Sequence, residues 1–387
     1  MTSSLGVYAN WKPTRLNDRY IFPWIHQKYI DYMCSEFDVI NILSSSKSSG
    51  KYCYYSNHTK INLILVPYYL SFLKGHLRLF KILLAFIDLL RNSDKIFVRY
   101  PEPFIWLLLS LNIFFQKKIY FHIVSNPFEL ISKRYKILRF IICMLLKLDL
   151  MCIRFFQAFS KSKIKYSCNG AVVPKIFKKI LGNDVQPIIE SSFRSNEYFY
   201  PSCKHTPENN KFRLILVSRL VEGKRTLEFI KFLQQTNFQL AGSTLTLSIV
   251  GGGPLIVALK ELVQSDPIIM RHVEIIGELT KQTQVLEAIY RSDCMVISSE
   301  SESGPRVCIE SLFVGRPVIS TDVGYVFDVG YIDETVFKFE FGNTKSFELA
   351  LTKILAHDFI KLESLCKKNV EKFTVDRFFA SVFSDEN

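Results

Sequence analysis

Short apolar runs alternate with longer helix-like runs along this chain, and this alternation limits its fold more than any other feature. The strand-like runs of the first half are 6–11, 37–43, 61–67, 95–100 and 118–124. Those of a second series lie near 212–218, 245–250, 273–276, 294–298 and 317–320. Such alternation predicts the α/β class, with parallel, doubly wound sheets that carry helices on both faces.

A polar, turn-rich stretch at 201–210 separates the two series and is typical of a linker. The length of 387 residues is sufficient for two domains of ordinary size. We therefore predict four segments: an N-terminal domain over 1–200, a linker over 201–210, a second domain over 211–360, and a C-terminal segment over 361–387. The pattern over 362–383 predicts that the last segment is helical.

Nine cysteines are scattered singly along the chain, with no Cys-x-x-Cys pair. This pattern argues for a reducing compartment and against a disulfide framework or a zinc site. The N-terminus lacks the basic-then-apolar order of a secretory signal. The longest uncharged apolar run, 103–115, is shorter than the roughly 20 residues that a membrane span requires. We therefore expect a cytoplasmic protein.

The net charge of +13 belongs to the first half of the chain. Residues 1–200 contain 28 Lys and Arg against 12 Asp and Glu, whereas residues 201–387 contain 21 against 24. A surface this basic attracts polyanions, either nucleic acid or anionic lipid. Because the chain has no recognisable nucleic-acid reader motif and its second half is acidic, we expect an anionic membrane surface, and no nucleic acid, as a partner.

One very apolar segment, 135–159, is interrupted by basic residues that fall on one stripe at about 100° per residue. These residues are Lys136, Arg139, Lys147 and Arg154. A basic, strongly apolar helix can lie in a membrane interface, which would make the protein peripheral on the inner face of the plasma membrane. The alternative is a core helix with a solvated basic face, and the sequence leaves both readings open.

Two carboxylates, Glu302 and Glu310, flank a Gly-Pro turn and the predicted start of a helix. The first backbone N–H groups of such a helix would point at an anion such as a diphosphate. The two carboxylates could then bind hydroxyl groups on either side of the anion, which describes a nucleotide sugar. The alternative is a pair of glutamates stabilised by the helix dipole. The intervening residues assigned to the binding site are Ser303, Gly304, Pro305, Arg306 and Val307.

Residues 211–340 resemble family 4 of the retaining nucleotide-sugar glycosyltransferases. Four motifs carry the resemblance in order, ending at the two glutamates: the strand and basic loop 211–224, the glycine turn 247–254, the strand and turn 273–277, and the strand 293–299. The first half shows only a loose likeness. The resemblance implies the GT-B fold, in which two Rossmann-like domains face a cleft and a C-terminal helix often crosses back to the first domain.

The resemblance implies a role for each matching charged residue. Arg219 and Lys224 would stabilise the charge that develops on the leaving diphosphate, with ordinary surface charges as the alternative. Glu302 would face the sugar hydroxyls, and Glu310 the ribose hydroxyls. The sequence shows no enzymic nucleophile, and the family is thought to proceed by attack on the same face as the leaving group.

Three glycines and one histidine complete the predicted site. Gly252 and Gly253 lie in a strand-to-helix turn, which allows close backbone approach to the nucleotide or is a plain turn. Gly277 follows a strand and would line the base. His122 ends a strand of the first domain and could contact the sugar or the acceptor, although lone histidines are more often structural. Since no Asp-x-Asp motif or metal-ligand spacing occurs, we expect no metal ion in the site. We also expect no cofactor, because the nucleotide sugar would be a substrate.

Together these features predict a glycosyltransferase enzyme that moves a sugar from a nucleotide-diphosphate sugar, with retention, to a glycan or lipid-linked oligosaccharide acceptor. The basic, apolar first half suits a lipid-linked acceptor, and the Lys, Ile and Phe richness is typical of AT-rich bacteria that build surface polysaccharide such as O-antigen or capsule. Because a fold does not guarantee activity, two alternatives remain: a non-catalytic nucleotide-sugar-binding GT-B protein and a sugar-nucleotide epimerase.

Overall fold

Two compact α/β units make up the chain, and each is described separately below. The computed structural model describes all residues except 1–2, 10, 17–18, 46–53, 56–59, 67–77, 126, 129–135, 160–163, 171, 183, 203–207, 209 and 385–387. Unit 1 comprises Met1–Ile189 and Val375–Asn387, and unit 2 comprises Glu190–Thr374. Each unit is organised around its own mainly parallel sheet, so the predicted α/β class is confirmed.

Unit 1 is built on a parallel sheet with a small antiparallel addition. Its described strands are β1 Ser4–Tyr8, β2 Thr14–Leu16, β3 Arg19–Phe22, β4 Val39–Ser45, β5 Tyr54–Tyr55, β6 Ile61–Val66, β7 Lys95–Tyr100, β8 Lys118–Ile123, β9 Ile164–Asn169 and β10 Gln186–Ile188. Seven of them pair in parallel in the order β10-β9-β8-β7-β1-β4-β6. The remaining three, β2, β3 and β5, form the antiparallel sheet.

Helices cover both faces of the large sheet of unit 1. The described helices are Trp24–Glu36, Leu79–Arg91, Ile105–Phe115, Lys136–Phe159, Val172–Leu181 and Val375–Phe383. The side chains of β7 alternate between two cores. Ile96 and Val98 pack with the four middle helices, whereas Phe97 packs with the first and last helices. Burial on both faces explains why the strands read as near-continuous apolar runs.

Unit 2 repeats the doubly wound plan. Its described strands are β11 Lys211–Val217, β12 Gln239–Leu240, β13 Ser243–Val250, β14 Val273–Gly277, β15 Cys294–Ile297, β16 Val318–Ser320 and β17 Val336–Lys338. Its described helices are Glu222–Lys224 (a 3-10 turn), Thr226–Gln234, Ile256–Ser265, Pro267–His272, Gln282–Tyr290, Arg306–Phe313, Val326–Val329, Thr344–Leu355 and Phe359–Val370. Among the helices described in either unit, none is both long enough and apolar enough to cross a membrane.

The strand order of unit 2 reverses beside β11. The strands run β12-β13-β11-β15-β16-β17, with β14 also paired to β13. The chain therefore passes from β11 to β13 and β14 on one side, and then crosses to β15 on the other side. In open parallel sheets this reversal leaves a crevice at the carboxyl ends of the two central strands, where ligands bind.

Unit 1 ends at Ile189, earlier than the predicted boundary at residue 200. The following residues bond within unit 2, since the Ser191 hydroxyl donates to the Phe373 carbonyl at 2.7 Å and the Ser202 N–H donates to Glu287 at 3.2 Å. Most of the predicted linker, residues 203–207 and 209, lies outside the described residues.

The predicted tail helix over 362–383 is two helices, Phe359–Val370 and Val375–Phe383. The break has a local cause, because the Phe373 N–H turns back to the Val370 carbonyl at 2.8 Å. The first helix groups with unit 2 and the second with unit 1.

Candidate functional site

A recess opens at the carboxyl ends of β11 and β15, where the strand order reverses. Its lining residues are Leu216, Val217, Ser218, Lys224, Val296, Ile297, Ser298, Ser299, Glu302 and Val307. The apolar members come mainly from the strands, and the polar members come from the ends of the strands and the loops that follow them. The recess therefore combines a fixed sheet edge with side chains that can bind charged or hydroxylated groups.

Lys224 and Glu302 form an ion pair in this recess. The Lys224 ammonium contacts Glu302 Oε1, and the two side chains are only 18% and 15% exposed. The Ser299 hydroxyl donates to the same carboxylate oxygen at 2.8 Å. Because both charges are largely shielded from water, their attraction is stronger than that of a surface pair. The sequence places these two residues 78 positions apart, and the fold brings them into contact.

Backbone and hydroxyl hydrogen bonds tie together the loops that carry the ion pair. The Ser298 hydroxyl donates to the Lys224 carbonyl at 2.9 Å, and the Glu300 N–H donates to the Gly223 carbonyl at 2.9 Å. The Thr321 hydroxyl, after β16, donates to the Ser299 carbonyl at 2.7 Å. The three loops after β11, β15 and β16 are thereby held in one arrangement around the recess.

The helix Arg306–Phe313 begins beside the recess, and Val307 in its first turn lines it. The N-cap residue is Pro305, which provides no side-chain acceptor. The loop around Gly324 packs against this end, since a Cβ on Gly324 would lie 3.0 Å from the Gly304 nitrogen. An uncapped N-terminus next to a lysine offers two elements that bind an anion.

The glycine turn after β13 packs against the loop after β11. A Cβ on Gly251 would lie 1.8 Å from the Ser218 carbonyl oxygen, and a Cβ on Gly253 would lie 2.5 Å from the Leu220 oxygen. The Leu220 N–H donates to the Gly252 carbonyl at 2.9 Å. These glycines are therefore required by close contact between two backbone segments of the protein. Whether Gly252 and Gly253 also contact a nucleotide stays a prediction.

Gly277, the last residue of β14, has φ +82° and open space around its Cβ position. Its carbonyl accepts the Gly251 N–H at 2.7 Å. Glycine is favoured here because other residues rarely adopt this backbone conformation. Gly277 is thus linked to the glycine turn, and its predicted contact with a base stays a prediction.

Arg219 and Glu310 lie in contrasting environments. Arg219 follows directly after the recess residue Ser218 and is exposed, with no side-chain partner in the part of unit 2 that is described. Glu310 is buried in the second turn of the helix Arg306–Phe313, and Arg306 in the first turn is half-buried. The structure thus brings Lys224, Glu302 and Val307 together, with Glu310 one turn further along the helix.

The thiol of Cys308 lies on the same helix, and the structure argues against it as a nucleophile. Burial raises the pKa of the Cys308 thiol far above its usual value. A thiol of this kind stays protonated near neutral pH, whereas a nucleophile requires the thiolate. Cys308 therefore contributes to the core of unit 2.

His122 belongs to unit 1, where it is fully buried at the end of β8. Its Nδ1 lies 2.9 Å from the Ser167 hydroxyl, and its ring packs edge-on against Phe378 with 4.9 Å between the ring centres. Hydrogen bonding and ring packing of this kind hold a structural histidine in place. A contact between His122 and a sugar or an acceptor stays a prediction.

Sequence reasoning missed the hydroxyl residues that organise the recess. Ser298, Ser299 and Thr321 each follow a buried strand and bond to a loop or to Glu302. The signal was present, because short polar residues stand directly after the apolar runs of β15 and β16. Within the described residues, no cluster of three or more His, Cys, Asp or Glu side chains could hold a metal ion.

One family model matches the second half of the chain. Residues 203–373 match the family model of Glycosyl transferases group 1. No curated protein sequence matches the chain.

Solved structures resemble the chain over almost its whole length. HepE from Anabaena, solved with UDP, has 13% identity and a TM-score of 0.66, covering 99% of this chain and 100% of its own. The lipopolysaccharide outer core galactosyltransferase WaaB has 13% identity and a TM-score of 0.67, with the same coverage. Sucrose-phosphate synthase from Thermosynechococcus elongatus has 13% identity and a TM-score of 0.63, covering 98% and 96%.

The similarity to these structures shows a shared fold, which is the GT-B fold of glycosyltransferases. The family match falls on the unit that contains the recess. The match of residues 203–373 to glycosyl transferases group 1, together with the shared fold, supports a glycosyltransferase enzyme.

Proposed function

We propose that this enzyme transfers a sugar from a nucleotide-diphosphate sugar, with retention of configuration, to a glycan or lipid-linked acceptor. We further propose that it belongs to family 4 and acts in bacterial surface polysaccharide synthesis, on the inner face of the plasma membrane. The observation that carries this proposal is the Lys224–Glu302 pair, held at the strand-order reversal beside a helix N-terminus.

The donor would enter the recess by replacing the partners of the ion pair. Its diphosphate would take the Lys224 ammonium and the N–H groups of the first turn near Val307, with Arg219 reaching it from the adjacent loop. Glu302, released from Lys224, would then accept hydrogen bonds from the sugar hydroxyls. Glu310 would bind the ribose hydroxyls. HepE, which shares the fold, was solved with UDP and with UDP-glucose, and this supports a nucleotide-sugar donor.

The chemistry would depend on stabilising the leaving group. As the glycosidic bond breaks, negative charge develops on the diphosphate, and two cations with a helix N-terminus stabilise it. The acceptor hydroxyl would attack from the same face and pass its proton to the leaving phosphate. The raised pKa of the buried Cys308 thiol argues only against that residue as a nucleophile. WaaB, a lipopolysaccharide galactosyltransferase of the same fold, supports a surface-glycan acceptor.

A thermal-shift screen of nucleotide sugars identifies the donor, because a ligand that binds only the folded state raises the melting temperature. Transfer is then followed with candidate acceptors, and the anomeric configuration of the product is read by NMR. Lys224→Met should lose at least about tenfold in transfer, since one fixed cation of the leaving-group site is gone. Lys231→Met is the matched control, an exposed lysine on the next helix of the same unit.

Each result decides between the proposal and its alternatives. A Glu310→Ala variant that binds the donor and turns over like the parent would remove the proposed site. A donor that binds without transfer to any acceptor indicates a non-catalytic binding protein. Conversion of the donor in the absence of an acceptor indicates an epimerase, and an inverted product refutes retention.

A further inference from the structure

The helix Lys136–Phe159 of unit 1 is apolar on the side that faces water. Its inward side is marked by Asp149, Leu150 and Ile153, which are buried. The large apolar residues that are exposed on this helix are Phe140, Ile141, Met144, Leu148, Met151, Phe155 and Phe159. At about 100° per residue, the centre of the exposed set lies about opposite the centre of the buried set. A surface helix of a water-soluble domain normally carries polar residues at that position.

Two neighbouring helices of the same unit also carry exposed apolar residues. The helix Ile105–Phe115 packs against both Lys136–Phe159 and Leu79–Arg91, and all three contribute to the same core. Phe114 is 84% exposed and Phe80 is 70% exposed, and Leu84 lies one turn from Phe80. We call these three residues, together with the exposed apolar residues of Lys136–Phe159, the apolar outer face. The stripe on Lys136–Phe159 is contiguous because its members are three or four positions apart, and contiguous exposed apolar surface marks an interaction site.

Basic side chains accompany the apolar outer face. Lys81 stands next to Phe80, and Lys147 and Arg154 lie along one flank of the exposed stripe, all three of them exposed. Unit 1 as a whole contains 28 Lys and Arg against 13 Asp and Glu. A second copy of so basic a unit would be repelled, whereas an anionic surface would be attracted. Apolar residues flanked by cations match the acyl boundary and the headgroups of an anionic bilayer.

We propose that the apolar outer face docks unit 1 onto an anionic lipid bilayer. Phe140, Met144, Met151 and Phe155 would enter the acyl boundary, and Lys147 would contact the headgroups. The sequence left open whether this helix is interfacial or a core helix with a solvated basic face. The position of its buried residues supports the interfacial reading, because the solvent side is apolar. The inference rests on the proposed function in one respect, because only an enzyme with a lipid-linked acceptor would use this surface to reach its substrate.

Flotation of the full chain with lipid vesicles tests the docking. The probe is vesicles of two parts phosphatidylcholine to one part phosphatidylglycerol, with pure phosphatidylcholine vesicles for comparison. We expect the parent to float with the anionic vesicles and to be released by salt. The triple variant Met144→Gln/Met151→Gln/Phe155→Gln should lose about tenfold or more in its partition to these vesicles, because each substitution removes apolar surface from the membrane boundary.

A matched triple variant controls for the loss of exposed apolar residues in general. Val257, Leu349 and Ile360 are similarly exposed on helices of unit 2, and Val257→Gln/Leu349→Gln/Ile360→Gln should float like the parent. Equal melting temperatures establish that the variants are folded. The proposal is overturned if the parent does not float, or if the unit 1 variant floats as the parent does. It is also overturned if the unit 1 variant converts a dimeric parent to a monomer without changing flotation, because a second copy would then be the occupant.

The docking and the proposed function fail separately. Flotation is measured without any donor, and donor binding is measured without vesicles. A Lys224→Met protein that floats normally but binds no nucleotide sugar leaves the docking intact. A unit 1 variant that binds donor normally but does not float leaves the donor site intact.

Discussion

Asp149 provides a sharp test of the electrostatics of unit 1. It lies on the inward side of the helix Lys136–Phe159, where burial raises the pKa of its carboxyl from 3.8 to about 7. The pKa of the Tyr100 phenol is also raised far above its usual value, mainly by burial and to a smaller extent by the charge of Asp149. The two groups therefore share a region with little access to water, in which a carboxylate is poorly solvated.

The sign of the pH dependence follows from proton binding. Above about pH 4 the unfolded Asp149 is ionised, whereas the folded residue keeps its proton up to about pH 7. Between these two pH values the folded state binds one proton more than the unfolded state. The stabilisation that comes from this proton is complete below pH 4 and is lost as pH rises to about 7. At about 1.4 kcal/mol per pH unit, the full loss is about 4 kcal/mol.

Asp149→Asn removes this titration and keeps the shape of the side chain. Relative to the parent, its free energy of unfolding should rise by about 3 kcal/mol between pH 5 and pH 8, because only the parent loses stability over that interval. For a unit of this size the relative melting temperature should rise by about 6–12 °C. Melting curves of parent and variant at both pH values measure the effect.

The matched control is Asp88→Asn, an exposed aspartate on the helix Leu79–Arg91 whose carboxylate accepts a hydrogen bond from the Asn92 side chain at 2.7 Å. Its difference from the parent should be small and the same at both pH values. If the Asp149 variant also differs from the parent by equal amounts at pH 5 and pH 8, then Asp149 ionises normally and the reasoning is refuted.

Two further predictions concern unit 2. Gly251→Ala would place a Cβ 1.8 Å from the Ser218 oxygen, and it should lower the free energy of unfolding by more than about 3 kcal/mol in denaturant titrations. The control Gly223→Ala has open space around its Cβ position and should have little effect. Arg316 is fully buried and stacks on Tyr290, so Arg316→Ala should lower the free energy of unfolding by about 3–5 kcal/mol through the cavity that its side chain leaves. A loss below about 1 kcal/mol in the same titration would contradict this packing role.

The sheets of both units could be predicted from the sequence because their strands are buried on both faces. Runs such as Cys294–Ile297 are entirely apolar and entirely buried, so composition alone locates them. The start of the helix after Pro305 was predictable for a similar reason, since a Gly-Pro turn precedes an apolar-periodic segment.

The contacts of the recess could not be predicted, because they join loops that are distant in sequence. The Lys224–Glu302 pair and the bond from Ser298 to the Lys224 carbonyl depend on β11 and β15 being neighbours, which is a property of strand order. The need for Gly251 likewise comes from the Ser218 oxygen on another loop. Periodicity also could not determine which side of Lys136–Phe159 is buried, because both sides contain apolar residues.

The Lys224–Glu302 pair gives the Lys224 ammonium a counterion from the protein itself. A small anion without a hydroxyl would have to replace a carboxylate that the Ser299 hydroxyl holds in position, and it has no donor group for the displaced glutamate. A ligand that presents an anionic group and a hydroxyl together satisfies both members of the pair at once. The pair would therefore discriminate against anions that have no hydroxyl, such as sulfate, and in favour of ligands that present both groups.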